Sequence, residues 1–533
     1  MSNTSISFED SNLFSKIILD YVNNQAEIAP FYNLRPEIAS YKTMMEQKNY
    51  NNNFRPILVD VLNKQYNQTN INLNKTPAVA NNINALLANN TFTVTTGHQL
   101  CLYTGPLYFI YKIISTLKWC EELKNAYPDK NFVPVFWMAS EDHDFEEINH
   151  IYINAQKNTW DIDSKQQPVG RLSLAGFDLF AQEIITLANN NFAKKQLEDW
   201  SACYTSSPNL SIATRKLVNL LFADKGLVIL DADNKELKQL LVPYIKKDII
   251  EQSNFKALSE TNKLLPKKYK TQINGRDINY FYLSNEGRRL IKKTNDKFVV
   301  DGTNITFSES EIITDIETNP ENYSPNVVLR PLYQEIILPN LSYIGGPGEI
   351  AYWLQLKSVF ENNNISFPIL TLRSFVLILN QQHHNQLNRI GLSVHDFFKS
   401  DVEVERKLVA LNLDGGQLEI IENISQNLQQ LIDIALKTDN KIASDIIKHK
   451  SNWENILEKT NRHLDKKQRE KTVNHFQKFT DIKSNYFINN TIQERVSNVL
   501  SYGVSESLST LVESTYRLIN NGQNQVQVIQ KPG

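Results

Sequence analysis

The segment Ser140-Glu141-Asp142-His143-Asp144 is the densest group of reactive side chains in this sequence, and it follows a buried apolar run. Three carboxylates beside one imidazole are typical of acid–base chemistry, because neighbouring acids favour the protonated imidazole near neutral pH. Asp142 and His143 are therefore the predicted catalytic residues. Glu141 and Asp144 are predicted to contact substrate.

Two other interpretations of this segment stay open. Aspartate and histidine are also metal ligands, but the side chains of contiguous residues point in different directions, so few of them could meet at one ion. A solvated polar loop with one hydrogen-bonded histidine is the non-functional alternative. We assign no metal site from the sequence.

The run Thr96–Pro106 is a second candidate site. Gly97 lets the backbone approach a ligand closely, and the turn leads into a helix whose N-terminal amides suit an anion. The predicted substrate-binding residues of this run are His98, Gln99, Thr104 and Gly105. The run matches neither the G-x-G-x-x-G dinucleotide fingerprint nor a P-loop, and an ordinary strand-to-helix connection is the alternative.

A glycine-rich loop before the helix-like run Ile350–Phe360 is the third candidate. Such a loop can cradle a ligand where a helix begins. The predicted cofactor-binding residues there are Gly345, Gly346 and Gly348, and the predicted substrate contacts are Glu349 and Tyr352. Arg330 is a candidate clamp for a substrate anion and Arg373 for a cofactor anion, because guanidinium matches carboxylate and phosphate geometry, although a single arginine more often forms a salt bridge.

The elements around these clusters indicate an α/β fold. Phe92–Thr95 is a short β-branched run, Tyr108–Leu123 has apolar residues at helical spacing, and Asn131–Met138 is a buried strand. Strand, helix and strand in this order form a βαβ unit, which predicts a parallel sheet with ligands outside the carboxyl ends of its strands. All three clusters would then lie in one crevice.

The following segment is less regular. Leu227–Asp231 and Phe367–Leu372 are predicted strands, and Arg276–Val300 alternates in a way that predicts antiparallel hairpins in an inserted subdomain. Val327–Leu329 and Ile336–Leu338 are further strand candidates.

The last third of the chain is predicted to be helical. From Ile421 to Ile442 the apolar residues recur at an alternating three–four spacing, and no proline or glycine occurs between Ile421 and Ile488. We expect two long helices with a turn near His463–Asp465. They would fold back on each other, or pack against a second chain.

Bulk properties exclude some classes of protein. The chain has 533 residues and a formal net charge of −2, so no global field would draw it to nucleic acid or to an anionic membrane. Its apolar runs are too short to span a bilayer, and its start lacks the pattern of a signal peptide. Three cysteines at unrelated spacings indicate neither a zinc site nor a disulfide framework, and together these features predict a cytoplasmic protein.

Several of these motifs, in the same order, resemble the bacillithiol cysteine-adding enzyme family over most of the chain. The shared runs are Thr96–Gln99, Tyr103–Tyr108, Val133–Trp137, Glu141–Phe145, Gly345–Tyr352 and Gln493–Arg495. The resemblance also includes Trp137 among the residues expected to bind substrate.

The resemblance implies a Rossmann-like parallel-sheet core with connecting-peptide insertions and a C-terminal coiled coil that supports a homodimer. The expected divisions are an N-terminal helical segment (1–90), the first half of the core (91–155), inserted subdomains with further core elements near 215–250 (156–320), the second half of the core (321–385), a coiled-coil arm (386–505), and a C-terminal helix and tail (506–533).

The resemblance further implies a ligase that adds cysteine to glucosaminyl-malate in the last step of bacillithiol synthesis. ATP or ADP is the implied nucleotide, and Asp142 and His143 would position or deprotonate the attacking amine. Two alternatives remain: a nucleotidyl-transferase-like enzyme acting on another sugar or amino acid, and a coiled-coil assembly protein without catalysis.

Overall fold

The computed structural model describes residues 4–188, 190–412, 416–503, 508–519, 521–522 and 524–531. The strands are β1 (Thr4–Ser7), β2 (Thr91–His98), β3 (Asn131–Met138), β4 (His150–Ile153), β5 (Gln156–Thr159), β6 (Val228–Asp231), β7 (Tyr280–Ser284), β8 (Gly287–Thr294), β9 (Lys297–Val300), β10 (Thr306–Phe307), β11 (Tyr323–Pro325), β12 (Asn340–Gly345), β13 (Ile369–Leu372), β14 (Phe375–Asn380), β15 (Phe487–Ile488), β16 (Thr491–Ile492) and β17 (Gln525–Lys531). The α-helices are α1 (Phe8–Ser11), α2 (Lys16–Val22), α3 (Ile38–Gln47), α4 (Phe54–Gln68), α5 (Pro77–Ala85), α6 (Leu107–Ala126), α7 (Phe177–Thr186), α8 (Asn191–Thr205), α9 (Leu210–Phe222), α10 (Lys235–Gln239), α11 (Val242–Lys246), α12 (Ser253–Leu264), α13 (Glu309–Thr318), α14 (Arg330–Ile337), α15 (Pro347–Trp353), α16 (Lys357–Asn362), α17 (Gln381–Arg389), α18 (Asp401–Asn412), α19 (Gly416–Thr438), α20 (Asn440–Lys483), α21 (Leu500–Gly503) and α22 (Leu508–Leu518).

Two units are distinguished by their internal contacts. The core comprises Ser2–Leu377 and Ile492–Ile529, and the arm is centred on Ile378–Thr491. Each is described by itself.

A five-stranded sheet in the order β13-β12-β2-β3-β6 forms the centre of the core, and every neighbouring pair of strands in it is parallel. This confirms the predicted α/β class and its parallel sheet. The carboxyl ends of parallel strands lie at one edge, so His98, Met138, Asp231, Gly345 and Leu372 end their strands on the same side.

The long helix α6 connects β2 to β3 and packs against this sheet. Its residues Trp119 and Leu123 join Val94 of β2 and Ile344 of β12 in one apolar cluster, and Tyr41 stacks on Trp119 with 5.6 Å between ring centroids. Apolar burial of this extent holds the sheet and α6 in a fixed relation. The edge that carries the polar loops is therefore rigidly supported.

The inserted region contains a second, antiparallel sheet in the order β10-β9-β8-β7-β11. The predicted hairpins are thus confirmed. Phe281 of β7 and Arg288 of β8 line a cavity at the carboxyl edge of the parallel sheet.

Two of the predicted strands are wrong. Val327–Leu329 forms a turn, and Ile336 and Ile337 belong to helix α14. Pro331 is well suited to the first turn of a helix, and Leu332 and Ile336 are four residues apart on one face, so helical periodicity prevails over the short apolar run. The strand of this region is β12, which begins at Asn340.

Within the arm, α19 and α20 form a helical hairpin in which Lys450 Nζ donates to Gln429 Oε1 at 2.6 Å. The turn predicted near His463–Asp465 is wrong, because α20 continues unbroken through it. The break lies at Asp439, whose carboxylate accepts from the Lys441 amide and so caps α20.

The chain ends of the core are tied together, since β1 pairs antiparallel with β17. The C-terminal tail therefore contributes a strand as well as helix α22. Cys101, Cys120 and Cys203 are free thiols. None of the helices in the described ranges has the length and apolar character needed to cross a membrane.

Candidate active site

A cavity of about 680 Å³ opens at the carboxyl edge of the parallel sheet. Its floor includes Gly97 and His98 from β2 and Met138 from β3, and one wall carries Glu349 of α15. This volume lies in the range typical of small-molecule sites. The position is the one where open α/β sheets bind their ligands.

A buried ion pair joins helix α6 to α15 at the cavity. Lys112 Nζ donates to Glu349 Oε2 at 2.7 Å and also to the carbonyl oxygen of Gly97. Glu349 further accepts from Tyr343 Oη at 2.5 Å and from the Gly346 amide at 2.8 Å. Burial alone would raise the pKa of Glu349, but the Lys112 charge and these hydrogen bonds lower it to about 2. Glu349 is therefore ionised at neutral pH.

His98 is held as a neutral imidazole. Its Nδ1 lies 2.9 Å from the Gln99 carbonyl oxygen, which can only accept, so Nδ1 carries the proton and Nε2 is an acceptor. Burial and the nearby Lys112 charge lower the pKa of His98 to about 4.

The side-chain amide of Gln99 joins two carboxylates. Gln99 Nε2 donates to Asp142 Oδ2 at 2.8 Å and to Glu147 Oε2 at 2.7 Å. Burial would raise the pKa of Asp142, but hydrogen bonds from His143 and Gln99 and the charge of Arg288 hold it far below its usual value. Asp142 is therefore a permanent anion, better suited to orienting a cation than to accepting a proton.

His143 turns away from the cavity lining and faces Arg288 of β8. Arg288 Nη1 lies 3.2 Å from His143 Nδ1, and because arginine only donates, Nδ1 must accept. The same guanidinium lies 3.8 Å from Asp142 Oδ1. Arg288 thereby links the inserted sheet to the predicted catalytic segment.

Glu141 belongs to a buried charge cluster beside β6. Lys238 Nζ, which is fully buried, lies 2.5 Å from Glu141 Oε1 and 3.2 Å from Asp233 Oδ1. Arg171 pairs with Asp233 through two hydrogen bonds of 2.6 and 2.8 Å. The Glu141 carboxylate lines the cavity but is already engaged by Lys238.

Arg330 has spare hydrogen-bonding capacity over an aromatic platform. Its guanidinium carbon lies 5.8 Å from the Trp137 ring centroid and 5.7 Å from that of Tyr343. Nη1 donates to Gln334 at 3.3 Å, whereas Nη2 is buried and has no hydrogen-bond partner among the described residues. A buried donor of this kind is costly unless a ligand or water meets it.

Arg373, directly after β13, forms a buried bidentate pair with Glu494. The two nitrogen–oxygen distances are 3.0 and 2.6 Å. Arg373 Nε, in contrast, is buried without a hydrogen-bond partner in the part of the chain that the structure describes, and it lines the cavity. Arg495, the next residue after Glu494, is exposed on the same cavity.

Comparison with known proteins identifies the family. The model of the bacillithiol biosynthesis BshC N-terminal Rossmann-like domain matches residues 1–374, and that of the BshC C-terminal coiled-coil domain matches residues 376–530. The chain belongs to the BshC family. This confirms the resemblance, the Rossmann-like core and the coiled-coil arm.

Relatives in the BshC family cover nearly the whole chain. A protein of Flavobacterium johnsoniae is 41% identical over 504 residues, with 92% of this chain and 93% of that protein covered. One of Christiangramia forsetii is 37% identical, with 98% of each chain covered. Both carry the name "Putative cysteine ligase BshC". The chain is accordingly an enzyme of this ligase family.

The structure of this BshC chain brings most of the predicted site residues into one cavity. Those that line it are His98, Gln99, Trp137, Glu141, Asp142, Arg330, Gly346, Gly348, Glu349, Tyr352 and Arg373. Those that do not are His143, Asp144, Thr104, Gly105 and Gly345. Thr104 and Gly105 are buried in a turn. The side-chain amide of Asn498 donates to the carbonyl oxygens of Tyr103 and Gly105 in this turn.

Gly105 has a structural reason to be glycine. Its φ is +62°, and a Cβ there would lie 2.5 Å from Cys101 Cβ. The amide of Leu107, at the start of α6, donates to the Ser497 carbonyl at 2.9 Å, so one of the N-terminal amides expected to suit an anion is paired within the protein.

Five charged residues that line the cavity were not predicted as site residues: Lys112, Glu147, Arg276, Arg288 and Arg495. Lys112 had a visible signal, because it is the sole charged residue in the apolar run Leu107–Leu117. Glu147 follows the Glu141–Phe145 run closely, and Arg495 is the last residue of the Gln493–Arg495 run. The sequence around Arg288 carried no signal of a site, because only the fold brings β8 to the carboxyl edge of the parallel sheet.

No group of three or more His, Cys, Asp or Glu side chains in the described ranges is arranged to hold a metal ion.

Proposed function

We propose that this protein joins cysteine to glucosaminyl-malate through an amide bond, in an ATP-linked reaction within this cavity. The attacking group is the sugar amine and the electrophile is the activated carboxylate of cysteine. Support comes from family membership and from the distribution of charge in the cavity.

The observation that carries the proposal is that the cavity offers contacts for both an amine and an anion. Asp142 and Glu147, which the Gln99 side-chain amide joins, line it. Arg330 and Arg495 line it as well and form no ion pair within the described ranges. A substrate that carries an amine and carboxylates fits this lining.

Cationic side chains without an ion-pair partner support the binding of anionic substrates. Arg330 forms none among the described residues, and Arg276 on the inserted segment is exposed at the cavity with none either. Malate brings two carboxylates and a nucleotide brings phosphates, and guanidinium groups match both.

At the acidic end, Asp142 and Glu147 would hold the sugar amine. An ammonium group donates three hydrogen bonds, and two carboxylates with the Gln99 amide oxygen supply acceptors for them. The amine must lose a proton before it attacks. Because the pKa of His98 is lowered to about 4, its Nε2 would accept a hydrogen bond from the amine and would not serve as the base. His143 would act through Arg288 and Asp142.

ATP would supply the activation that amide formation requires. The cysteine carboxylate would displace pyrophosphate to give an acyl-adenylate, or ADP to give an acyl-phosphate, and the amine would then displace AMP or phosphate. The donors available for the phosphates of ATP are the unpartnered Nη2 of Arg330 and the exposed Arg276. They fit an anion of this kind.

The test is reconstitution with purified protein, cysteine, glucosaminyl-malate and ATP, with thiol labelling and mass spectrometry of the products. We expect bacillithiol to accumulate only when all three substrates are present. Thiol profiling of cells without the gene should show loss of bacillithiol and build-up of glucosaminyl-malate. Unchanged bacillithiol in such cells would reject the proposal.

We also propose that a second copy of the chain packs against the arm. Ile420, Ile424, Leu431 and Ile434 are exposed on α19, and their spacing places them on one face of the helix. An apolar stripe of this length is typical of an interface between helices.

A further inference from the structure

The turn Gln493–Arg495 follows the arm in sequence yet lies against the cavity of the core. Gln493 and Glu494 are buried, whereas Arg495 is exposed. Neither the catalytic segment nor the amine-binding carboxylates of the proposed function use this turn. The turn is nevertheless distinctive, because it places the buried carboxylate of Glu494 next to the exposed guanidinium of Arg495.

Glu494 fixes Arg373 in one orientation. Both carboxylate oxygens of Glu494 accept from the two terminal nitrogens of Arg373, and Nη1 also donates to the Ser374 carbonyl at 2.8 Å. The guanidinium stacks 4.2 Å from the Phe375 ring centroid and 5.3 Å from that of Tyr108. Nη1 thus uses both of its N–H groups and Nη2 uses one, whereas Nε is the nitrogen without a hydrogen-bond partner among the described residues.

This Nε lies beside the glycine loop. Arg373 is only 2% exposed, and its Nε is buried without a partner among the described residues. A Cβ on Gly346 would lie 3.9 Å from this nitrogen. A buried, unsatisfied donor on a cavity wall is expected to meet a hydrogen-bond acceptor of a ligand.

Arg495 approaches the same place from the rim. Arg495 is the residue after Glu494, whose carboxylate pairs with Arg373, and both arginines line the cavity. Arg495 itself forms no hydrogen bond or ion pair within the described ranges.

We infer that Arg373 and Arg495, beside the glycine loop at Gly346, form a subsite for an anionic oxygen group, a carboxylate or a phosphate, and that Glu494 positions Arg373 in it. The ligand group accepts from Arg373 Nε at the cavity wall and pairs with the Arg495 guanidinium at the rim. The inference rests on the proposed function only for which substrate brings the anion.

Direct binding to the full-length protein tests the subsite without requiring turnover. Calorimetric titration with L-malate, L-cysteine and ADP, each alone, compares the intact chain with Arg495→Gln. We expect one of the three to bind about tenfold more weakly to the variant, since a charge-assisted hydrogen bond is lost, and the others to change by less than about twofold. The probe that weakens identifies the source of the anion.

The matched control is Arg389→Gln, which removes an exposed arginine of α17 that does not line the cavity. The uncharged counterpart of the affected probe (malamide, cysteine amide or adenosine) should bind the intact chain and Arg495→Gln equally. The subsite would be overturned if Arg495→Gln bound all three probes as tightly as Arg389→Gln does. It would also be overturned if the intact chain showed no saturable binding of any probe.

The positioning role of Glu494 is tested by coupling. Glu494→Gln should weaken the same probe, whereas adding it to Arg373→Lys should cause no further loss, because Glu494 acts through Arg373. A further loss in the double variant would overturn that role. If Glu494→Gln does not fold, Arg495→Gln decides the subsite by itself. A chain that binds the probes but makes no product refutes the proposed function and leaves the subsite standing.

Discussion

Charged side chains are buried and paired in the parallel-sheet core, whereas apolar side chains are exposed on the helical arm. Lys112 is buried where it pairs with Glu349, whose side chain is partly exposed at the cavity, and Arg373 and Glu494 are both buried. On α19, Leu431 is 51% exposed and Ile434 is 62% exposed. Burying charge is costly, so buried ion pairs in the core are expected where they contribute to a ligand site. Exposing apolar area is also costly, so the apolar stripe on the arm is expected where a partner would cover it.

Removing one partner of a buried pair should have the largest effect. Glu349→Gln leaves Lys112 buried without its counter-charge, and we expect the free energy of unfolding of the core to fall by about 3–5 kcal/mol. Urea unfolding followed by tryptophan fluorescence measures it, since five of the six tryptophans lie in the core.

Two variants sharpen this expectation. Lys112→Met combined with Glu349→Gln should recover much of the stability, because no isolated charge stays buried. In the arm, Glu454→Gln breaks the exposed pair with Lys450 and should cost less than about 1 kcal/mol. Equal losses in core and arm would contradict the contrast between them.

Asp142→Asn should have the next largest effect, on catalysis. If Asp142 orients the amine as a permanent anion, removing its charge should lower kcat/KM by about 10²-fold with the fold intact. His143→Ala should cost less, because His143 does not line the cavity. The rate of product formation, measured with one substrate varied and the others saturating, gives kcat/KM for both variants. Undiminished turnover by Asp142→Asn would exclude Asp142 from the mechanism.

Acid should destabilise the core through His98. Its pKa is about 4 in the folded core and 6.5 in the unfolded chain, so between these values the unfolded state binds more protons. Stability is therefore full above about pH 6.5 and is lost as the pH falls towards 4, by at most about 1.4 kcal/mol per pH unit from this group. Glu349, with its pKa lowered to about 2, adds to the loss below about pH 4.5.

The control for this pH dependence is a histidine of the arm. His98→Gln should flatten the stability of the core between pH 6.5 and 4.5, whereas His463→Gln, at an exposed position of α20, should leave it unchanged. The groups around His98 that could distort the titration are Lys112, Glu349 and Arg373. Urea unfolding at half-unit pH intervals distinguishes the two variants.

The βαβ unit and the position of the cavity could be predicted from local pattern. Phe92–Thr95 and Asn131–Met138 carry enough β-branched and apolar residues to indicate strands, and Tyr108–Leu123 has clear helical spacing. The glycine loop and the segment around Asp142 follow strands, so the edge they share follows from the topology.

Contacts between distant segments could not be predicted in this way. Arg288 reaches Asp142 from the inserted sheet, and Glu494 reaches Arg373 across 121 positions of sequence. The helix break at Asp439 was missed because one N-cap is a weak signal beside a continuous apolar spacing. Which of the apolar positions are buried was also beyond reach, since Ala435 is buried and Leu431 is not.

The smallest expected effect concerns the arm. Ile434→Lys places a charge in the exposed stripe of α19, and if a second copy covers that stripe, the dimer should dissociate about tenfold more readily. Gln426→Lys adds the same charge on the polar face of the same helix and should not affect association. Sedimentation velocity over a concentration series measures both. Because the cavity lies wholly in the core, Ile434→Lys should leave the urea midpoint of the core unchanged; a parallel fall in core stability would mean that the arm is required for folding of the core as well as for pairing.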